Sequence, residues 1–326
     1  MERFLKAEDQ KKESIYLLTK QEGLVLNPKL IEIAKELKKR FVDETRNLNE
    51  ISIFLCGGGG TEESKFRRGL GGKISKTVSK YKYSVYYPED MFIELILGHQ
   101  REDLLTLENL LADSANAIVI LLQSPGTFTE LGAFTNYEKL CNKLIVVLNP
   151  KFARARSFIN LGPIRYLKRN TKSKILYSSM EKGNLDTLAK QIVDNARDVA
   201  KHSVPVRNLA NPISAYRFYL GLIYVFDPIP KDAIATVART FAVKDETILV
   251  TAAETVINSL INERKLSLSS GSLSTTSKGV EDLIYNDRSK KSARDVSEFL
   301  TSLRLAALNL TLRKNQTGIW GEAEGS

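Results

Sequence analysis

The 326-residue sequence predicts an α/β protein in which a parallel sheet is followed by a helical, winged-helix-like domain. Two observations carry this prediction. Strand patterns alternate with helix patterns over residues 51–149, which is typical of a parallel sheet with helical crossovers. Two helix patterns and a small hairpin pattern then occupy residues 229–280, in the order found in a winged helix.

Residues 1–50 are predicted as a helical extension, because apolar residues recur at helical spacing in LIEIAKELKKRFVDE (30–44). The sheet is expected to be Rossmann-like and to form a catalytic domain over residues 51–180. Its predicted strands are ISIFLC (51–56), YSVYY (83–87), AIVILL (117–122) and KLIVVLN (143–149). Helices are predicted from residue 61 and over 91–98, 103–115 and 127–142.

Residues 181–228 are predicted as a helical connector. Residues 229–326 are predicted as a winged-helix-like domain that binds nucleic acid or a partner and ends in a flexible tail. DAIATVARTFAV and ETILVTAAETVINSLINERK supply its helices, and KLSLSSGSLSTTSKG supplies two short strands about a Gly-Ser turn. The alternative is a helical hairpin that packs on the first domain.

Composition excludes several classes of protein. No apolar run approaches the ~20 residues of a membrane span, and the charged start MERFLKAEDQKKES has no signal-peptide core. Cys56 and Cys141 do not make a disulfide framework, and His99 and His202 have no partners at metal-ligand or triad spacing. The sequence therefore predicts a cytoplasmic protein without metal or cofactor, whose catalysis rests on carboxylates.

The net charge of +10 lies in the second half of the chain. Residues 1–150 hold 21 Lys and Arg and 21 Asp and Glu, whereas residues 151–326 hold 27 and 17. KFARARSFINLGPIRYLKRNTKSK (151–174) has eight basic residues, three aromatic residues and no acid, which indicates phosphate contacts and base stacking; a solvated face is the alternative. The predicted nucleic-acid-binding residues are Lys151, Arg154, Arg156, Arg165, Lys168, Arg169, Lys172 and Lys174.

Polar residues follow three predicted strands, and we expect them to line one crevice at the carboxyl edge of the sheet. Gly57, Gly58 and Gly59 let backbone N–H groups approach a phosphate or a ribose; a flexible turn is the alternative. Glu130 has two interpretations: a capping box with Thr127, or a nucleophile that attacks the anomeric carbon of an N-glycoside. The other acids expected in this crevice are Glu89, Asp90 and Glu108.

Four blocks, ISIFLCGG, YYPEDMF, LLTLENLLADSANAIVILLQSPGTFTELGAF and KFARARSFINLGPIR, resemble the nucleoside 2-deoxyribosyltransferase-like effectors of bacterial retrons. These anti-phage systems pair a reverse transcriptase and its branched RNA–DNA product, the msDNA, with a toxic protein. The resemblance spans residues 51–167 and continues more weakly around SLINERKL (259–266). It implies an effector that assembles with reverse transcriptase and msDNA, whereas the basic charge predicts a monomer or weak dimer when the chain is alone.

The resemblance also implies roles for single residues. The glutamate of the ELG block is the glycosyl nucleophile of the transferases and matches Glu130, while Glu108 and Asn116 match positions that orient sugar and base. The transferases commonly have Asp at the positions of Asn116 and Ser124. The shorter, neutral Ser124 leaves room for a larger sugar substrate, and the Gly-rich turn suits a phosphate attached to it, so an N-riboside such as NAD fits both. The turn under the anomeric centre would consist of Ser124, Gly126 and Thr127.

We therefore predict a toxic retron effector that cleaves the N-glycosidic bond of a nucleotide, foremost NAD+, under control of the reverse transcriptase and msDNA. One alternative is a metabolic nucleoside deoxyribosyltransferase or a nucleotide phosphoribohydrolase. The latter shares a Gly-Thr-x-x-Glu turn, but neither has a need for the basic half. A second alternative is a winged-helix regulator that binds nucleic acid without catalysis.

Overall fold

The computed structural model describes residues 16–19, 23–26, 28–44, 50–90, 112–203, 207–242, 246–284 and 290–320. The chain forms two compact units. The sheet unit, residues 48–207, contains a five-stranded parallel sheet. The helical unit combines the chain up to residue 47 with residues 208–326. No helix among the described residues is long and apolar enough to cross a membrane.

The helical unit begins with an antiparallel hairpin of β1 (Tyr16–Thr19) and β2 (Gly23–Leu26). Helix α1 (Pro28–Lys38) follows and is extended by a π-helical turn over Lys39–Asp43. The helix predicted over 30–44 is thus confirmed, and the apolar residues that predicted it are buried: Leu30, Ile33, Leu37 and Phe41. The hairpin differs from the predicted helical extension, because strands of four residues are too short for alternation to stand out.

The sheet unit alternates strands and helices. Its elements are β3 (Glu50–Cys56), α2 (Thr61–Ser75), β4 (Lys82–Tyr86), β5 (Ala117–Leu121), α3 (Pro125–Thr135), β6 (Leu144–Leu148), α4 (Arg165–Asn170), β7 (Lys174–Tyr177) and α5 (Leu185–Ala200). All five strands are parallel in the order β4-β3-β5-β6-β7, which confirms the predicted parallel sheet. The chain leaves β3 toward one side and returns at β5 on the other, so a crevice opens between the carboxyl ends of these two strands.

Packing explains where the sheet unit ends. Strands β5 and β6 are buried at every residue, as expected for central parallel strands. Helix α5 lies in the predicted connector, but its apolar residues Leu188 and Ile192 pack in the same core as strand residues Ile53 and Val119. The helical connector is therefore split, and its first helix belongs to the sheet unit.

Other elements depart from the sequence pattern. Helix α2 runs through its three glycines to Ser75, and α3 ends at Thr135 rather than at 142. Strand β7 begins at Lys174, the last residue of the basic stretch 151–174, and the lysines at its start mask a four-residue strand. The helix predicted over 91–98 and most of the one over 103–115 lie outside the described residues.

The rest of the helical unit surrounds α6 (Pro212–Val225), whose residues are all buried except Tyr224. Its N-cap, Asn211, accepts a hydrogen bond from the Ile213 N–H at 2.9 Å. The elements after it are β8 (Ile229–Pro230), α7 (Lys231–Arg239), α8 (Glu246–Asn262), β9 (Leu266–Ser269), β10 (Ser272–Thr275), α9 (Ser277–Ile284) and α10 (Lys290–Trp320). The predicted hairpin is confirmed; Ser270 and Gly271 turn it, both at positive φ.

Candidate active site

Glu130 lies in the second turn of α3, the helix that follows the carboxyl end of β5. The helix is capped by other residues. The Thr127 hydroxyl accepts hydrogen bonds from the N–H groups of Gln123 and Ser124, each at 3.1 Å, and donates to the Ser124 carbonyl at 2.7 Å. The predicted capping box between Thr127 and Glu130 is therefore wrong. The cap uses the Thr127 hydroxyl and leaves the Glu130 carboxyl for another role.

The surroundings of Glu130 shift its acidity. Burial raises the pKa of this carboxyl to about 7, and the neighbouring charge of Glu89 adds to the rise. The Arg67 guanidinium and a hydrogen bond from the Cys56 thiol act in the opposite direction. At neutral pH such a group is roughly half ionised, so it can supply a carboxylate without a large free-energy cost.

Charged side chains of α2 and of the turn after β4 form a network of ion pairs beside Glu130. Arg67, which is only 4% exposed, donates to Glu89 at 2.7 Å. Arg68 donates hydrogen bonds to Glu89 at 2.9 Å and to both carboxylate oxygens of Asp90 at 2.6 and 2.5 Å. Its guanidinium also stacks over the ring of Tyr87, 3.9 Å from the ring centroid. Glu89 and Asp90, which were expected in the crevice as substrate-binding acids, therefore bind Arg67 and Arg68 and fix the positions of these two arginines.

Three buried polar atoms at this edge have no hydrogen-bond partner in the part of the chain that the structure describes. They are Oε2 of Glu130, Nε of Arg67 and Oε1 of Gln123. Gly57 lies between the last two, since a Cβ built on it would come 2.9 Å from Cδ of Arg67 and 3.4 Å from Oε1 of Gln123. Native proteins rarely leave buried polar groups unpaired, so this cluster is typical of a site for a polar ligand.

The glycines of the turn after β3 have unequal roles. A Cβ on Gly58 would lie 2.9 Å from the Glu63 side chain, whereas nothing lies within 4 Å of one built on Gly59. Close packing therefore requires glycine at positions 57 and 58 but not at 59. Gly126 also has room for a Cβ, with the nearest atom, Oγ of Ser124, at 3.9 Å.

Asn116 lies at the amino ends of the strands, on the side of the sheet opposite to Glu130. Its Oδ1 accepts hydrogen bonds from the N–H of Ser52 at 3.0 Å and from the Ser52 hydroxyl at 2.8 Å. The five residues of β5, roughly 17 Å of extended chain, separate it from the carboxyl end of that strand. The role predicted for Asn116 is therefore corrected: it joins the amino ends of β3 and β5. Glu108, the other predicted orienting residue, lies outside the described residues.

Sequence reasoning missed Arg67 and Gln123 as members of the site. Gln123 carries a usable signal, because it is a polar residue directly after the apolar run of β5. Arg67 carries none, because its partner Glu89 is 22 residues away and only the fold brings them together. Among the described residues, no three His, Cys, Asp or Glu side chains are grouped as metal ligands would be.

The basic segment, residues 151–174, lies in the sheet unit. Five of its cations line a cleft of about 380 Å³, are exposed and form no ion pair with a described carboxylate: Arg154, Arg156, Arg165, Lys168 and Arg169. Lys174, in contrast, pairs with Asp198 at 2.5 Å. Residues 160–164 contact α3, the helix that carries Glu130. The segment that carries the predicted nucleic-acid-binding residues therefore packs against the helix of the candidate active site.

The basic excess ends where the sheet unit ends. Residues 151–207 hold 13 Lys and Arg against 4 Asp and Glu, a net charge of +9. Residues 208–326 hold 14 and 13, a net charge of +1. The predicted basic carboxyl-terminal half is thereby corrected to a basic part of the sheet unit.

The matches to known proteins cover both the Glu130 cluster and the basic segment. A family model described as "STM3845 retron effector protein" matches residues 63–266. The Escherichia coli protein named "Retron Ec86 putative ribosyltransferase/DNA-binding protein" is 35% identical over 229 residues, which cover 67% of this chain and 73% of that protein. A second E. coli protein, "Retron Ec73 putative ribosyltransferase/DNA-binding protein", is 33% identical over 137 residues, 40% of this chain and 43% of that protein.

Proposed function

Because the chain belongs to the STM3845 retron effector protein family, we propose that it is a toxic N-glycosidase of a retron anti-phage system, with NAD+ as its best-fitting substrate. The ribosyltransferase names of its E. coli relatives support chemistry at a glycosidic carbon. The observation that carries the proposal is the cluster at the carboxyl edge. There the Glu130 carboxyl, with a pKa near 7, has a buried oxygen without a described partner and lies beside two further such atoms, Nε of Arg67 and Oε1 of Gln123.

The proposed reaction has two steps. The Glu130 carboxylate attacks the anomeric carbon, and the electron pair of the C–N bond leaves with the base, which gives a glycosyl ester. Water then adds to the anomeric carbon, the ester bond breaks, and the sugar and one proton are released. Gln123 Oε1 would accept a hydrogen bond from a ribose hydroxyl, and the Arg67 Nε–H would donate to a ribose or phosphate oxygen.

The charges around Glu130 favour a leaving group that needs no proton. Glu89, the neighbouring carboxylate among the described residues, is bound by Arg67 and Arg68 and is poorly placed to act as a general acid. A pyridinium N-riboside such as NAD+ releases neutral nicotinamide without protonation. Its positive charge would also favour the ionised form of Glu130 in the complex, because an opposite charge lowers a carboxyl pKa.

The partners belong to the same proposal. Strand order β4-β3-β5-β6-β7 supports a Rossmann-like sheet unit. The succession α6-β8-α7-α8-β9-β10, in which β10 pairs with both β8 and β9, supports a winged helix in the helical unit. We propose that the chain associates with the reverse transcriptase and msDNA in a higher-order assembly that controls its activity.

The test of catalysis compares wild-type protein with Glu130→Gln. Each is incubated with NAD+, deoxynucleosides and nucleoside monophosphates, with and without the reverse transcriptase–msDNA complex, and released base is measured by chromatography. We expect wild-type protein to release nicotinamide and Glu130→Gln to lose at least about a thousandfold in rate, because an amide is a poor nucleophile.

Glu138→Gln is the matched control, because Glu138 is exposed just beyond the same helix. It should keep wild-type activity. A folded Glu130→Gln protein that still releases base would exclude Glu130 as the nucleophile. Cleavage of deoxynucleosides alone would identify a metabolic transferase, and release from no substrate in any combination would favour a binding protein.

A further inference from the structure

We propose that the basic cleft of the sheet unit binds single-stranded nucleic acid, and that this cleft rather than the helical unit supplies the chain's nucleic-acid contact. The cleft is lined by residues of the segment that joins β6 to β7 and by Tyr177 at the end of β7. This binding does not depend on the glycosidase chemistry proposed for Glu130.

The charge of the cleft suits a phosphate backbone. Its lining includes four arginines and one lysine but no acid. Some other exposed cations of the sheet unit have carboxylate partners, as Lys65 has in Glu62 and Lys73 in Asp186. The cleft cations have none among the described residues, so their charge is available to phosphate groups, whose counterions are released on binding.

Exposed aromatic residues that neighbour the cleft residues along the chain suit unstacked bases. Phe158 is 83% exposed, Phe152 is 50% exposed and Tyr166 is 47% exposed. Lys168 donates a hydrogen bond to the Tyr177 hydroxyl at 3.1 Å, so a ring and a cation are already held together in the lining. Exposed rings among unpaired cations are the combination that single-strand binding proteins use, with each ring stacking on a base.

The dimensions of the cleft favour a single strand over a duplex. A volume of about 380 Å³ is near the lower end of small-molecule pockets, which is room for about one nucleotide. A duplex keeps its bases stacked inside, where the rings of Phe152 and Phe158 could not reach their faces. A single strand can place phosphates on the arginines and turn its bases onto the rings.

Helix α8 and the hairpin of the helical unit lack the basic side chains that contact with a DNA duplex requires. In a winged helix the second helix of the pair enters the major groove, and here that helix is α8. Its 17 residues contain no Lys or Arg, more than half of them are buried, and Glu246 and Glu254 are its charged residues. The hairpin over 266–275 also has no basic residue. Duplex phosphates would therefore meet negative rather than positive side chains on this helix.

The experiment measures binding of the full chain to three fluorescent probes: a 20-nucleotide DNA strand, the RNA of the same sequence and the DNA duplex. We expect at least about tenfold tighter binding to the single strands than to the duplex. Arg154→Gln/Arg156→Gln/Arg165→Gln should reduce the slope of log K against log salt by about 2, because each lost phosphate contact on a single strand removes about 0.7. Phe158→Ala should weaken single-strand binding about tenfold through lost stacking.

The matched control places equal charge loss on the helical unit, as Lys231→Gln/Arg239→Gln/Lys278→Gln, and should bind like wild-type protein. Thermal unfolding establishes that each variant is folded. If the control variant weakens binding and the cleft variant does not, the location is wrong. If the duplex binds as tightly as the strands, or Phe158→Ala has no effect, the single-strand assignment is wrong. Failure of all three probes to bind at 50 mM salt would overturn the proposal in favour of another anion, such as an acidic protein.

Discussion

Each unit buries a cation beside carboxylates, and the two cations differ in how completely they are partnered. In the helical unit, Nζ of Lys265 lies 2.7 Å from Glu263, 2.8 Å from Asp282 and 2.9 Å from the Tyr216 hydroxyl, so all three of its N–H groups have partners. In the sheet unit, Arg67 donates to Glu89 but its buried Nε has no described partner. The Lys265 cluster is therefore closed, meaning that every N–H of its cation has a partner within the protein. The Arg67 cluster is open, meaning that it keeps a donor for a ligand.

The largest expected effect is on stability, at the closed cluster. Lys265→Met leaves Asp282, largely buried, without its cation and should lower the free energy of unfolding of the helical unit by about 4 kcal/mol. Urea unfolding followed by circular dichroism measures this. Lys231→Met, at an exposed lysine, should change it by less than about 0.5 kcal/mol. If folded Lys265→Met protein lost glycosidase activity, the Lys265 cluster would not be purely structural.

At the open cluster, removing a charge should stabilise the protein. Because the folded pKa of Glu130, about 7, exceeds its ordinary value of 4.5, its contribution to wild-type stability is full below pH 4.5 and is lost as pH rises to 7. Glu130→Gln should therefore unfold like wild-type protein at pH 4 and be more stable by about 3 kcal/mol at pH 8. Unfolding measured across this pH range checks the sign. A Glu130→Gln protein that is less stable than wild-type at pH 8 would mean that the carboxylate is structurally paired.

Arg67 should affect catalysis more than stability. Arg67→Met removes the cation that lowers the pKa of Glu130 while Glu89 keeps its charge nearby, so the acidic limb of kcat/KM against pH should move to higher pH. We expect about tenfold lower activity at pH 7 and a smaller deficit at pH 9. Arg67→Lys should restore part of the profile. A uniform loss at all pH values would show that Arg67 contacts only the substrate.

The smallest effects separate two glycines of the same turn. Gly57→Ala forces its Cβ to within 2.9 Å of Arg67 Cδ and should cost about 1 kcal/mol in unfolding free energy together with part of the activity. Gly59→Ala meets open space and should be neutral within about 0.5 kcal/mol. Equal effects in unfolding and activity assays would show that the turn acts through flexibility rather than through its packing on Arg67.

Local patterns predicted much of the fold. The four strands predicted between 51 and 149, α1 and the helix–helix–hairpin order of the helical unit were all readable, because burial imposes a period of two or 3.6 on neighbouring residues. Strand β7 was not predicted, because Lys174 and the basic residues before it interrupt the apolar pattern. The cap of α3 was also not predicted, since Ser124 and Thr127 offer the same chemistry three residues before the pair that was expected.

The candidate site was readable in part for the same reason. Placing Glu130 and Gly57 at one edge needs only the rule that parallel strands end on the same side. Placing Asn116 near them broke that rule, because it precedes β5 while Glu130 follows it. The basic excess was assigned to the wrong unit, because counting charges along the sequence does not show where one compact unit ends and the next begins.

The sequence by itself determined the class of the fold, the carboxylate at the end of β5 and the basic stretch after β6, since each depends on residues that are neighbours along the chain. Tertiary structure alone decided that Arg67 of α2, Gln123 after β5 and Glu130 of α3 lie together with unpaired atoms. It also decided that the pKa of Glu130 rises to about 7. These properties arise from desolvation and from charges brought close across tens of residues, and no local pattern encodes them.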